Sequence, residues 1–116
     1  MSINKNPIDV DLSSRFKKDL KTLAKRYRSI RKDLQPLITE LQAGKTPGAQ
    51  IQGLNYPVFK VRLKNSDIKK GKSGGYRVIY YLRTQTGITL ITIYSKSDQS
   101  DESKAVIEEI IHRLES

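Results

Sequence analysis

The chain begins with an alternation: Ile8, Val10 and Leu12 are separated by Asp9 and Asp11. A period of two is that of a half-buried strand. The period then changes. Leu12, Phe16, Leu20, Leu23 and Tyr27 recur every three or four positions, with Lys17, Lys18, Lys21, Lys25 and Arg26 largely off that stripe. This predicts an amphipathic helix with Ser13 or Ser14 as its N-cap. Ser29 offers a second cap before another stripe, Ile30, Leu34, Leu37, Ile38 and Leu41, which stops near Gly44. Pro36 lies inside that stripe. A proline removes one backbone donor, so this helix is expected to kink there or to begin later, near Asp33. Two such stripes on a short link imply a helical hairpin lying on a flat partner.

Residues 44–57 hold three Gly and two Pro and read as a loop. Three strand-like runs follow. From Val58 to Leu63 the alternation is clean, with Phe59, Val61 and Leu63 on one face and Val58, Lys60, Arg62 and Lys64 on the other. A basic, glycine-containing connection covers residues 65–75. The runs from Tyr76 to Leu82 and from Ile88 to Tyr94 are β-branched and aromatic, joined by a turn over residues 84–87. The second of them is apolar on both faces, as a central strand would be. Ser100 is the expected cap of a last helix, with Asp101 and Glu102 in its positive first turn and Val106, Ile107, Ile110, Ile111 and Leu114 as its buried stripe. The order is β-α-α-β-β-β-α. The fold class is α+β: one domain over residues 1–116, with a small, mostly antiparallel sheet, an N-terminal helical hairpin on one face and a short C-terminal helix.

Composition narrows the functions. The chain has no cysteine, which excludes disulfides, zinc–thiolate sites and cysteine nucleophiles, and its single histidine is His112. No run approaches the ~20 apolar residues of a membrane span, and residues 1–7 contain no apolar signal segment. A cytoplasmic protein without membrane, metal or cofactor is expected. The net charge of +10 is unevenly spread. Residues 1–43 carry 10 basic and 5 acidic residues, residues 44–96 carry 10 and 1 (Asp67), and residues 97–116 carry 2 and 6, giving +5, +9 and −4. A +9 block with one acid favours a polyanionic partner, nucleic acid first.

The strand periodicity places these cations together. Lys60, Arg62 and Lys64 share a face of one strand. Arg77 points outward on the next if Tyr76, Val78, Tyr80 and Leu82 pack inward, and Tyr94 and Lys96 share a face with Thr92 on the third. Lys69, Lys70 and Lys72 add to them from the connection. In an up-and-down meander the cations converge on one concave sheet face. Such a face can cleave RNA through the neighbouring 2′-hydroxyl. That reaction needs a base for the 2′-proton, cations for the phosphorane charge and an acid for the 5′-oxygen. The same cations can equally serve only to bind phosphates.

The segments FKVRL, GKSGGYRVIYYL and ITLITIYSKSDQ, followed by a short helix, closely resemble the RelE/ParE superfamily of bacterial type II toxins, and GKSGGYRVIYY is most similar to its HigB-like branch. The resemblance covers nearly the whole chain. It implies a RelE-like fold and a ribosome-dependent mRNA endoribonuclease, neutralised by a cognate antitoxin and meeting operator DNA only through the antitoxin complex. By motif it assigns the alternating basic pair of RelE-type enzymes to Lys60 and Arg62, the arginine after Gly-Tyr to Arg77 and the basic residue beyond the last strand to Lys96. It makes Lys72 a phosphate ligand. RelE-type enzymes also carry a tyrosine farther on, near where this chain has Glu102. The acid and base are thus left among Tyr94, Asp98 and Glu102; Tyr94 is expected to stack on a base or to supply a proton, with its phenol acidified by Lys96 and Arg77.

The remaining candidates read more simply. Lys64, Lys69 and Lys70 are expected to attract RNA without taking part in chemistry. Tyr76 and Tyr80 read as core, Tyr81 is undecided, His112 reads as a surface helix residue and Asp101 as a helix-terminus charge. Two alternatives accompany the nuclease: a ParE-like inhibitor of DNA gyrase that needs no such cations, and a decayed toxin that only binds its antitoxin and DNA.

Overall fold

The computed structural model describes residues 8–68 and 75–115. Its elements are β1 (Asp9–Leu12), α1 (Ser14–Ala24), α2 (Ile30–Gln42), β2 (Ala49–Gln50), β3 (Val58–Leu63), β4 (Tyr76–Thr84), β5 (Gly87–Ser95) and α3 (Lys104–Glu115). The strands form one sheet in the order β1-β5-β4-β3-β2, antiparallel except for the β1–β5 pair. The expected α+β arrangement is therefore present, with β5 interior as its two-sided hydrophobicity requires. The strand β2 was not expected. It is two residues long, held by Ala49–Lys60 and Gln50–Phe59 pairing, and too short to leave a period in the sequence.

Each face of the sheet carries its own core. On one face Phe16, Leu20 and Leu23 of α1 and Ile30, Leu34, Leu37 and Leu41 of α2 pack on Tyr76, Val78, Tyr80, Leu90 and Ile93. On the other, Ile107 and Ile111 of α3 pack on Val58, Ile79, Tyr81, Ile91 and Tyr94. Tyr76 and Tyr80 are core residues as expected. Tyr81 joins the second core, with its hydroxyl on Glu115 at 3.0 Å and its ring edge-on to Tyr56.

An irregularity in the β4–β5 register lets β5 serve both cores. Ile79 pairs with Thr92 but Tyr80 with Leu90, so Ile91 is an extra residue in β5. Ser13 meets it there. The Ser13 hydroxyl donates to the Ile91 carbonyl at 2.8 Å and accepts from the Phe16 N–H at 3.0 Å, so one buried side chain joins sheet edge and helix N-terminus.

For α2 the structure takes the earlier of the two expected starts, and for α3 it differs from expectation. Ile30, fully buried, is inside α2, so the helix does not begin near Asp33, and it runs through Pro36. Pro36 is exposed, where water can reach the backbone its ring leaves unpaired. The Ser29 side chain makes no cap bond. Instead Asp67 accepts from the Ser29 N–H at 2.8 Å, while Asp33 accepts from the Ser66 N–H at 2.8 Å. The helix α3 begins at Lys104, not after Ser100. Its cap is Ser103, whose hydroxyl accepts from Val106 N–H at 3.2 Å. Asp101 and Glu102 precede the helix, and both carboxylates have distant basic partners, Lys60 and Arg15.

The two serine caps yield a contrast. Ser13→Ala loses a cap bond and strands a buried carbonyl, so unfolding in urea should show a loss of about 2 kcal/mol. Ser29→Ala should change stability by less than about 0.5 kcal/mol. Equal losses would mean that the Ser29 hydroxyl makes a cap bond after all.

Candidate functional site

Gly75 fixes where the site begins. Its φ is +82°, and a Cβ there would collide with the Leu63 carbonyl, so this position demands glycine. The turn out of Gly75 sets Leu63 against Tyr76 and Arg62 against Arg77. Tyr76 then enters the hairpin core and Arg77 the opposite face. In the next strand Arg77 pairs with Tyr94. Arg62, Arg77 and Tyr94 thus form one row across three strands. Lys60 follows two residues along β3, on the same face.

The cations are not all alike. Part of this face is covered by α3, whose Ile107 and Ile111 pack on Val58, Ile79, Tyr81, Ile91 and Tyr94. Arg62 is exposed and Arg77 half-buried. Among the described residues Arg62 has no hydrogen bond or ion pair, and Arg77 donates only to its neighbour's carbonyl, Tyr76 O, at 3.3 Å. Lys60 is committed: its Nζ lies 3.0 Å from Asp101 Oδ1. Tyr94 is buried, and its hydroxyl donates to the same Oδ1 at 3.3 Å. Lys96 lies one residue beyond β5, half-buried, its N–H on the Gly75 carbonyl at 3.0 Å. Lys64 is exposed just past β3. Lys69, Lys70 and Lys72 lie outside the described residues.

The carboxylates are redistributed relative to expectation. Asp98 pairs with Arg26 at the end of α1 at 3.1 Å, and Glu102 pairs with Arg15 at its start at 3.2 Å. Among the described residues, neither has a hydrogen bond or ion pair with the cation row. Asp101, expected to serve a helix terminus, is the carboxylate that reaches it. The Lys60 contact comes first among the causes that hold its acid below the ordinary 3.8. The only trace of this in the sequence is charge: an acidic stretch of residues 98–102 following a +9 block. His112 is an exposed residue of α3, as expected.

The Tyr94 phenol is not acidified. Burial first, then the Asp101 charge and hydrogen bond, raise its pKa from 10.0 to about 12, outweighing Arg77. Tyr94 is a neutral donor. A Tyr94 pKa higher in the folded than the unfolded chain gives stability that is complete below pH 10 and lost as pH rises through about 12. Burial raises Tyr76 and Tyr80 in the same direction. Tyr94→Phe should therefore show a shallower fall in melting temperature between pH 10 and 12 than the parent chain. Parallel profiles would place the Tyr94 phenol at its ordinary value.

Comparison with known proteins gives a consistent picture. Residues 10–100 match the family model described as the ParE toxin of the type II toxin–antitoxin system, parDE. No curated protein matches the sequence. Among solved structures, the E. coli toxin RelE, as a double arginine-to-alanine mutant in the free state, aligns with a TM-score of 0.55 at 17% identity, over 93% of this chain and 98% of that one. The fold is thus RelE-like. Among the described residues no helix is long and apolar enough to cross a membrane. The chain belongs to the ParE toxin family of the RelE/ParE superfamily, and it is the toxin of a type II module whose partner is a cognate antitoxin.

Proposed function

We propose that this toxin is an endoribonuclease acting on ribosome-bound mRNA, with Lys60, Arg62, Arg77, Tyr94 and Lys96 as its site. The observation that carries this reading is the direct pairing of Arg62 with Arg77. Like charges opposite one another in a sheet are destabilising. Neither guanidinium has a carboxylate partner among the described residues, so an anion bound between them relieves the repulsion. A phosphodiester does this, and the negative charge it gains in the phosphorane strengthens the contact as reaction proceeds.

In this mechanism the 2′-hydroxyl gives its proton to solvent water as its oxygen attacks phosphorus, the bond to the 5′-oxygen breaks as that oxygen takes up a proton, and a 2′,3′-cyclic phosphate and a 5′-hydroxyl result. Arg62 and Arg77 hold the phosphorane oxygens. Lys60 and Tyr94 supply the N–H and O–H nearest the row for the leaving oxygen, and the Tyr94 ring is available to stack on a base. Lys64, Lys96 and the loop lysines Lys69, Lys70 and Lys72 draw in the flanking phosphates. Among the described residues no free base stands in the row, so solvent takes the 2′-proton, and the ribosome supplies the in-line geometry of the 2′-oxygen. The chemistry is carried by side-chain cations and needs no metal ion. Operator DNA is met only through the antitoxin complex.

A second reading has its own support. The matched family model is named for parDE, and a ParE-like toxin acting on DNA gyrase would share this fold. The two separate in the cell and in the tube. Induced expression should stop translation before DNA supercoiling changes. Single-turnover cleavage of ribosome-bound mRNA should fall about 10²–10³-fold in Arg77→Ala, with circular dichroism unchanged. Early loss of supercoiling with intact mRNA would overturn the nuclease in favour of the gyrase inhibitor.

A further inference from the structure

Asp101 has two properties that do not fit a purely structural role. Its Oδ1 collects the Lys60 ammonium at 3.0 Å and the Tyr94 hydroxyl at 3.3 Å, the two donors beside the arginine row, and also the Glu102 N–H at 2.9 Å. Its side chain is nevertheless 61% exposed, against 34% for Lys60. At that exposure the ion pair adds little to the stability of the fold. An exposed carboxylate competes with water and with any other anion. The backbone around it is held independently, by Asp98 on Arg26 and Glu102 on Arg15. Asp101 can leave its donors by rotating its side chain, giving up the local bond from the Glu102 N–H, whose place water can take.

We infer that Lys60 and Tyr94 form a phosphodiester subsite that Asp101 fills in the free toxin, as an internal anion that substrate must displace. The inference rests on the phosphate-binding part of the proposed function and names the group that opposes it. A carboxylate oxygen and the oxygens of a phosphodiester, the 5′-oxygen among them, are all acceptors for an ammonium and a phenol. Arg62 and Arg77 lack such a carboxylate among the described residues. They remain ready for the first contact, and Lys60 and Tyr94 join once the carboxylate swings out. The toxin thereby holds stray polyanions less tightly than its charge allows.

The test is binding of a 2′-O-methyl RNA oligonucleotide, which cannot be cleaved, measured by fluorescence anisotropy at low salt. Asp101→Asn keeps the shape and removes the charge. It should tighten binding about two- to fivefold, the scale of an exposed ion pair. Asp98→Asn changes the net charge equally but frees Arg26 away from the row, and should tighten binding less. In a Lys60→Met background Asp101→Asn should lose most of its effect. Equal tightening by the Asp98 and Asp101 variants would overturn the inference, since general electrostatics would then suffice. So would an Asp101 effect that persists without Lys60. On ribosome-bound mRNA, Asp101→Asn should leave the saturated single-turnover rate intact, and a tenfold fall there would make Asp101 part of the chemistry and overturn its role as a competitor. Binding that behaves as described with no cleavage by the parent chain would sink the nuclease alone. Absence of RNA binding by every folded variant would sink both.

Discussion

The register of β3 on β4 is the constraint on which the site depends. Val61 pairs with Val78, and Val78 with Ile93, in a row that faces the helical hairpin. The next row, Arg62–Arg77–Tyr94, faces the other way because side chains alternate. A slip of one residue would expose the first row and bury the second. Burial of an aliphatic side chain contributes about 1.5–3 kcal/mol. Repulsion between facing like charges costs roughly 0.2–1 kcal/mol. The apolar row therefore decides the register, and the arginine pair is held together against its own repulsion. Such a site is preorganised by the core beneath it, which is where electrostatic binding of a phosphorane gains most.

Asp67, the lone acid of the +9 segment, belongs to the same scheme. It does not moderate the cation row. It accepts from the N-terminal end of α2, and Asp33 returns the contact to Ser66. These paired bonds join the end of β3 to the hairpin just beyond Arg62. A strand end that would otherwise fray is tied to a helix, and the exposed Arg62 keeps a defined backbone. At the other edge Ser13 does comparable work, closing the β5 irregularity onto α1.

The sequence made the apolar framework legible because both periods are strong. The alternation of Val58–Leu63 and the stripes of α1 and α2 locate the strand and the two helix faces. The two-sided hydrophobicity of residues 88–94 locates the central strand. Lys60, Arg62 and Arg77 follow from the same alternation. What escaped has a common physical cause: it depends on partners far along the chain. Ser100, Asp101 and Ser103 are all acceptable helix caps, and of these Asp101 is engaged by Lys60, 41 residues away. Asp98 and Glu102 were candidate acids until Arg26 and Arg15 claimed them. For Tyr94 the nearby cations were visible, but burial and Asp101, which outweigh them, were not.

The acidic end of the chain acquires a role from these pairings. Three carboxylates within residues 98–102 each reach a different part of the basic body: the end of α1, β3 and the start of α1. All three involve side chains with substantial exposure on at least one partner, and exposed ion pairs contribute little to stability. Their larger effect is on the shape of the positive field. They neutralise Arg26, Lys60 and Arg15 while Arg62 and Arg77, in direct register, keep their charge. A field narrowed in this way favours a ligand whose charge is concentrated at one point over a diffuse polyanion. A phosphate held at the arginine pair is such a ligand, and an acidic side chain of the antitoxin placed on the same pair would exclude it.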